Sequence, residues 1–184
     1  MSNELVVGLR PNDVISESLG NPAGGIDDPF GYINVGLGKA IAFNPKATGT
    51  VFQLVRIPNA ATLATGLTVT LVLADDVLNS VAGKNVYLGV TLGPVTSDAT
   101  TFDENASSGA FVGTVEVLTA VTMPAANGSS PFLHVASIAV PVADMNALAA
   151  GGMAMLRIRR VGGNALDTGT SGRVGLCHID VRNT

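Results

Sequence analysis

The sequence contains no tryptophan, one cysteine and two histidines, and only 4% of its 184 residues are aromatic. So few aromatic rings disfavour a surface on which sugars or nucleic-acid bases stack, because such surfaces need exposed rings. The single cysteine, Cys177, excludes an intrachain disulfide and a metal site built from several cysteines. Because two histidines are too few for most zinc or copper sites, we predict neither a metal nor a cofactor.

Charge is also scarce, since 13% of the residues are charged against about 25% in an ordinary soluble domain. The net charge of −4 argues against binding to nucleic acid, whose phosphates require a basic surface. Hydrophobic residues make up 47% of the chain, which is enough for a well-formed core. A surface with so little charge leaves large uncharged patches, and these predict association into a homo-oligomer.

The sequence also lacks the patterns of an export signal and of a membrane span. Its first ten residues carry Glu4 and no basic leader before a long apolar run, which argues against a signal peptide. Apolar runs elsewhere are broken by glycine, threonine or charge well before the ~20 residues that a membrane helix needs. We therefore expect a protein that is made in the cytoplasm and does not enter a membrane.

Residues 1–38 show no steady periodicity and are interrupted by prolines and glycines. They nevertheless contain an apolar stretch that is unlike a solvated tail, formed by Leu5, Val6, Val7 and Leu9. We predict an extended N-terminal arm over 1–38 that lies against another surface. That surface is either another subunit or the arm's own domain, and both arrangements fit the pattern.

From Lys39 onward the pattern changes to that of β-strands separated by turn residues. In 66–74, leucine and valine alternate with Thr68 and Thr70, as in a strand that is buried on one face. The predicted strands cover 39–44, 50–57, 66–74, 84–92, 111–121, 131–140, 153–160 and 173–182. The apolar residues of the last strand change parity between Leu176 and Ile179, which predicts a β-bulge or a fully buried strand.

One short helix is predicted over 142–150, where the glycines at 151 and 152 end it. Eight strands with one helix in a late connection exclude a βαβ architecture, and the lack of an internal repeat argues against a propeller or a solenoid. The predicted fold is a single antiparallel all-β domain, a jelly-roll or β-sandwich of about eight strands over residues 39–184. The extended N-terminal arm precedes it.

We find no catalytic motif in the sequence. Cys177 and His178 are neighbours in a predicted strand, so we expect their side chains on opposite faces, where they cannot form a nucleophile–base pair. The carboxylate pairs lack the flanking aromatic residues of a glycosidase cleft. We therefore predict that the protein is not an enzyme and has no catalytic residues. One acidic loop fits either a calcium site or a solvated loop, and its oxygen-bearing residues are Asp98, Asp103, Glu104 and Asn105.

Arg157, Arg159 and Arg160 form a basic cluster in a predicted strand, in which Arg157 and Arg159 share one face and Arg160 takes the other. The pair on one face fits a charged sheet face that discourages edge pairing, or a row that meets carboxylates of a neighbouring subunit. We favour the second interpretation. Together with the apolar stretch of the arm, it gives the predicted partner contacts, which are Leu5, Val6, Val7, Leu9, Arg157 and Arg159.

The order of segments along residues 45–182 is also informative. The strand VFQLVRIP is followed by an alternating strand, by NVYLGVTL and by an acidic loop at Phe102 and Asp103. FLHVASIAVPV, a small-residue segment, MAMLRIRRVGGNALDTGTSG and the strand RVGLCHIDV complete the order. This order resembles the jelly-roll virion proteins of tailed bacteriophages, among them the head-decoration (cement) proteins.

The resemblance implies a structural virion protein that binds the lattice of the major capsid protein and stabilises the assembled head. It further implies a homotrimer that is made in the host cytoplasm and resides on the capsid surface of the virion. The alternative is a receptor- or glycan-binding module of a phage tail or fibre.

Overall fold

The computed structural model describes residues 5–9, 15–18, 30–35, 38–43, 45, 49–57, 63–76, 80–95, 115–125, 132–145 and 148–184. Before Ala40 and at Gly49 this description covers the backbone alone. The described strands are β1 (Leu5–Leu9), β2 (Ile15–Ser18), β3 (Phe30–Val35), β4 (Gly38–Phe43), β5 (Gly49–Arg56), β6 (Leu67–Asp75), β7 (Asn85–Val95), β8 (Val117–Thr122), β9 (Leu133–Val140), β10 (Met153–Arg160) and β11 (Val174–Asn183).

These strands form two antiparallel sheets. Sheet A has the order β3-β4-β11-β6-β9, and β1 also pairs with β11. Sheet B has the order β2-β5-β10-β7-β8. The chain is therefore an all-β sandwich, which confirms the predicted fold class.

The core lies between the two sheets and is built mainly from alternate residues of the strands. In β6 the inward residues Val69, Leu71 and Leu73 are fully buried, as are Leu88 and Leu92 in β7. Full burial of such a side chain contributes about 1.5–3 kcal/mol, and a slip of one residue would turn the whole set outward. The hydrophobic pattern therefore fixes both the register and the outward set on each strand.

Each of the eight strands predicted from Lys39 onward overlaps one observed strand, β4 to β11. The predicted parity of β10 is confirmed, since Leu156 and Ile158 are buried in the core. The register between β11 and β6 shifts between Leu176 and His178, which confirms the β-bulge.

The helix predicted over 142–150 is wrong, because the described chain there forms a short 3-10 helix at Val142–Asp144 and then turns. Its hydrogen bonds join residues three apart, as from the Met145 N–H to the Val142 carbonyl, whereas an α-helix joins residues four apart. Helices shorter than roughly 12–15 residues are marginal without a packed apolar face. Here Val142 is exposed while Met145 is buried, so the segment serves as a crossing from sheet A to sheet B.

Three strands lie within the predicted N-terminal arm. The backbone of β1 pairs with β11, β2 pairs with β5, and β3 pairs with β4. These segments thus follow the second of the two open arrangements, in which the arm lies on its own domain. The boundary between 1–38 and 39–184 stays a prediction.

The connection 161–173 is held to the sandwich by Arg160, which is paired with Asp167, and these two side chains are 0% and 1% exposed. The guanidinium donates from Nε and Nη2 to the two carboxylate oxygens of Asp167, each over 2.7 Å. It also donates from Nη1 to the carbonyl of Gly172 and from Nη2 to that of Gly169, each over 2.7 Å. A buried ion pair needs this degree of hydrogen bonding to offset its desolvation.

Gly66, immediately before β6, has a backbone conformation that other residues cannot adopt without strain. Its φ is +93°, and an added Cβ would lie 2.7 Å from the Val140 carbonyl oxygen. Gly163 is a matched control, because its φ is +76° but no atom lies within 4 Å of the added Cβ. We expect Gly163→Ala to lower the free energy of unfolding by about 1 kcal/mol and Gly66→Ala by about 3 kcal/mol. Urea denaturation measures both values, and equal losses would show that the close approach to Val140 is unimportant.

Candidate functional site

The outer face of sheet A, which faces away from sheet B, contains a groove of about 520 Å³ across β9, β6 and β11. Most of its lining consists of polar residues from three neighbouring strands. The lining residues are Thr68, Thr70, Val72, Val135, Ser137, Asp180, Arg182, Asn183 and Thr184. No aromatic residue is among them.

The antiparallel register places the outward residues of these strands in rows across the sheet. Asp180, Thr70 and Ser137 form the central row. The rows on either side are Arg182 with Thr68 and Ala139, and His178 with Val72 and Val135. The groove therefore changes along the strands from a charged and hydroxylated end to a more apolar one.

The hydroxyl groups of the groove are paired with one another. Thr70 Oγ1 and Ser137 Oγ lie 3.4 Å apart, and Thr68 Oγ1 and Thr184 Oγ1 lie 3.1 Å apart. A hydroxyl pair uses one of its two protons internally and keeps one donor and several lone pairs. Each pair can therefore both donate to and accept from a ligand.

The charged groups of the groove lie along β11. Asp180 Oδ1 is 2.9 Å from His178 Nε2, and Asp180 Oδ2 accepts a hydrogen bond from Arg182 Nη2 over 3.2 Å. Their spacing of two residues places all three on the same face of the strand. Asp180 is half-buried and bridges the other two, whereas the Arg182 side chain is 44% exposed.

The expectation that Cys177 and His178 point to opposite faces is wrong, because the β-bulge lies at these residues. His178 pairs with Val72 on the outer face, and Cys177 packs against Ala40, Ala42 and Ala74 on the same face. Burial raises the pKa of the Cys177 thiol, whereas an activated nucleophile requires a lowered pKa.

The predicted partner contacts Arg157 and Arg159 lie on the outer face of sheet B, and both pair with Glu116 of the same chain. Arg157 Nη2 also donates to Thr91 Oγ1 over 2.9 Å. Burial lowers the pKa of Arg157, and the nearby charge of Arg159 adds to this effect, whereas Glu116 acts against it. Glu116 lies directly over Gly89, where a Cβ would overlap its carboxylate.

The arginine side chains are 5% and 16% exposed. Their contact with a partner stays a prediction, and within the chain Glu116 serves as their counter-ion. The other predicted contacts, Leu5, Val6, Val7 and Leu9, lie in β1 next to β11, and their side chains are outside the described residues. Neither Glu116 as the partner nor the groove was predicted from the sequence, although Thr68 and Thr70 were predicted to share the face opposite the buried one.

Among the described residues, no group of three or more histidine, cysteine or acidic side chains is arranged to hold a metal ion. The acidic loop with Asp98, Asp103, Glu104 and Asn105, predicted as either a calcium site or a solvated loop, lies outside the described residues. No described helix has the length and apolar character needed to cross a membrane.

Comparison with known proteins finds likenesses in structure and none in sequence. No family model matches the chain, and no curated protein matches it. The K3 cleaved adhesin domain of Lys-gingipain from Porphyromonas gingivalis is 11% identical with a TM-score of 0.47, covering 98% of this chain and 100% of that one.

Two carbohydrate-binding modules of Clostridium thermocellum are similar to the same degree. The family 11 module of Lic26A-Cel5E is 9% identical with a TM-score of 0.47, covering 100% of this chain and 97% of that one. The family 30 module of Cel9D-Cel44B is 12% identical with a TM-score of 0.45, covering 100% and 95%. Likenesses at this level assign no function.

Proposed function

We propose that the chain is a non-catalytic glycan-binding module whose ligand lies in the groove on the outer face of sheet A. The observation that carries the proposal is the set of polar rows across β9, β6 and β11, in which paired hydroxyls adjoin a carboxylate and a guanidinium. Sugars present alternating hydroxyl donors and acceptors, so a surface that offers both types of group is complementary to them. This function corresponds to the alternative given by the sequence analysis.

The composition of the groove also predicts how binding occurs. Val72 and Val135 provide an apolar area for the C–H groups of a sugar, and the hydroxyl pairs provide its hydrogen bonds. Because no aromatic ring lines the groove, the ligand does not gain the affinity that stacking supplies. At a net contribution of about 0.5–1.5 kcal/mol per neutral hydrogen bond, about five such bonds give dissociation constants on the order of 0.1–1 mM.

The test is to screen the protein against an array of glycans and to measure hits by isothermal titration calorimetry. In the double variant Thr70→Val/Ser137→Ala, the central hydroxyl pair is replaced by side chains of similar shape. We expect the dissociation constant to rise about 10-fold, which corresponds to two lost hydrogen bonds. Unchanged affinity in this variant, or no glycan bound by the wild-type protein, would overturn the proposal.

A matched control exists on sheet B. Thr122 Oγ1 donates to Asn85 Oδ1 over 2.8 Å on the outer face of that sheet, so Thr122→Val removes a comparable exposed hydroxyl away from the groove. We expect this variant to bind glycan like the wild type.

Capsid decoration is a second candidate, supported by a different surface. Leu54 and Met153 are exposed on the outer face of sheet B, where Leu54 pairs in register with Met155. Exposed apolar side chains on neighbouring strands suit contact with another subunit, either in the predicted homotrimer or on a capsid lattice. Immunogold labelling of particles that contain the protein distinguishes the head shell from the tail, and light scattering measures the oligomer.

A further inference from the structure

The charged groups of the groove differ in what they can still bind. Each oxygen of Asp180 already accepts one hydrogen bond, from His178 or from Arg182. Arg182 has five N–H donors, and in the described part of the chain one of them is engaged, by Asp180. The unused charged hydrogen-bonding capacity of the groove therefore belongs mainly to Arg182.

The orientation of Arg182 is restrained, which makes it suitable for recognition. Arg182 Nη2 donates one hydrogen bond to Asp180, and strand pairing keeps the backbone of Arg182 in register with Thr68 of β6. A guanidinium that is fixed at one edge presents its other donors as a planar fork, which matches the two oxygens of a carboxylate. Asp180 is thus a positioning residue, and Arg182 is the group that would touch the ligand.

We infer that the groove selects glycans that carry a carboxylate, such as uronic acid or sialic acid residues, with Arg182 as the partner of the carboxylate. The inference rests on the proposed glycan-binding function and specifies its ligand class. The chain has a net charge of −4, so its overall electrostatic field repels acidic glycans. A preference for acidic over neutral glycans would therefore have to come from a local contact such as that with Arg182.

The experiment compares acidic glycans with neutral counterparts of the same length on the full chain. Trigalacturonic acid is titrated beside its trimethyl ester, and sialyllactose beside lactose, which distinguishes the two sources of the carboxylate. We expect at least one acidic ligand to bind about 10-fold tighter than its neutral counterpart, as a charge-assisted pair predicts. Equal affinity within both pairs overturns the inference and leaves the proposed function intact, whereas no binding by any glycan on the array overturns both.

Variants then assign the preference to one residue. Arg182→Gln should abolish the difference between acid and ester, and Arg182→Lys should retain part of it, because lysine keeps the charge without the fork. Arg56→Gln is the matched control, since Arg56 is an exposed arginine of β5 in sheet B. A preference that survives in folded Arg182→Gln would contradict the assignment, and the comparison on the wild-type chain stands even if that variant does not fold.

Discussion

Replacing Asp167 by asparagine should lower the free energy of unfolding by about 4 kcal/mol, because the buried guanidinium of Arg160 then loses its counter-ion. The asparagine amide would also direct N–H donors toward a donor-only group. The midpoint of urea denaturation should fall while its slope stays constant. A loss below 1 kcal/mol would contradict the role given to this ion pair.

The double variant Arg160→Met/Asp167→Leu provides a sharper comparison. Replacing both members of a simple buried pair by apolar residues is often neutral, because no charge is left uncompensated. Here Arg160 also donates to the carbonyls of Gly169 and Gly172, and a methionine would leave both without that donor. We therefore expect the double variant to remain less stable than the wild type. A free energy of unfolding equal to that of the wild type would show that water forms hydrogen bonds with these carbonyls instead.

Replacing Glu116 by glutamine should lower the free energy of unfolding by about 3 kcal/mol, because its carboxylate is the shared ion-pair partner of Arg157 and Arg159. The two arginines would then repel each other on a largely buried surface. Urea denaturation measures the loss. A neutral effect would mean that solvent screens this cluster.

Two further variants test the same cluster. Gly89→Ala leaves every charge in place but puts a methyl group where the Glu116 carboxylate lies, so the end of that side chain must shift and we expect a smaller loss than in Glu116→Gln. Asp180→Asn is the matched control, because Asp180 also bridges two side chains that can carry positive charge, but at a more exposed site. We expect this change to lower the free energy of unfolding by less than about 1 kcal/mol.

The sequence predicts the strands and their faces correctly where one face of a strand is buried. Alternation along 66–74 identified the inward residues of β6, and the change of parity after Leu176 indicated a bulge as one of two explanations. The 3-10 turn at Val142–Asp144 was not predicted, because short segments take their conformation from the ends they connect. Local composition favoured a helix there, and the crossing between the sheets imposed turns.

The groove could not be predicted from the sequence, because it depends on the register between strands that are distant along the chain. Alternation placed Thr70 outward, but only the pairing of β6 with β9 and β11 brings Ser137 and Asp180 beside it. Glu116 was missed for the same reason, since it meets Arg159 across 43 positions of chain. Outward side chains follow no hydrophobic pattern, so the sequence does not predict which of them lie together on neighbouring strands.

The central position of β11 has a consequence for the order in which the chain is synthesised. β11 joins β6 on one side to β1 and β4 on the other, yet it is made about 100 residues after β6. At about 5–20 residues per second, the two halves of sheet A wait roughly 5–20 s for the strand between them. During that interval the edges of β6 and β4 that pair with β11 lack this partner, so sheet A is completed only after β11 has left the ribosome.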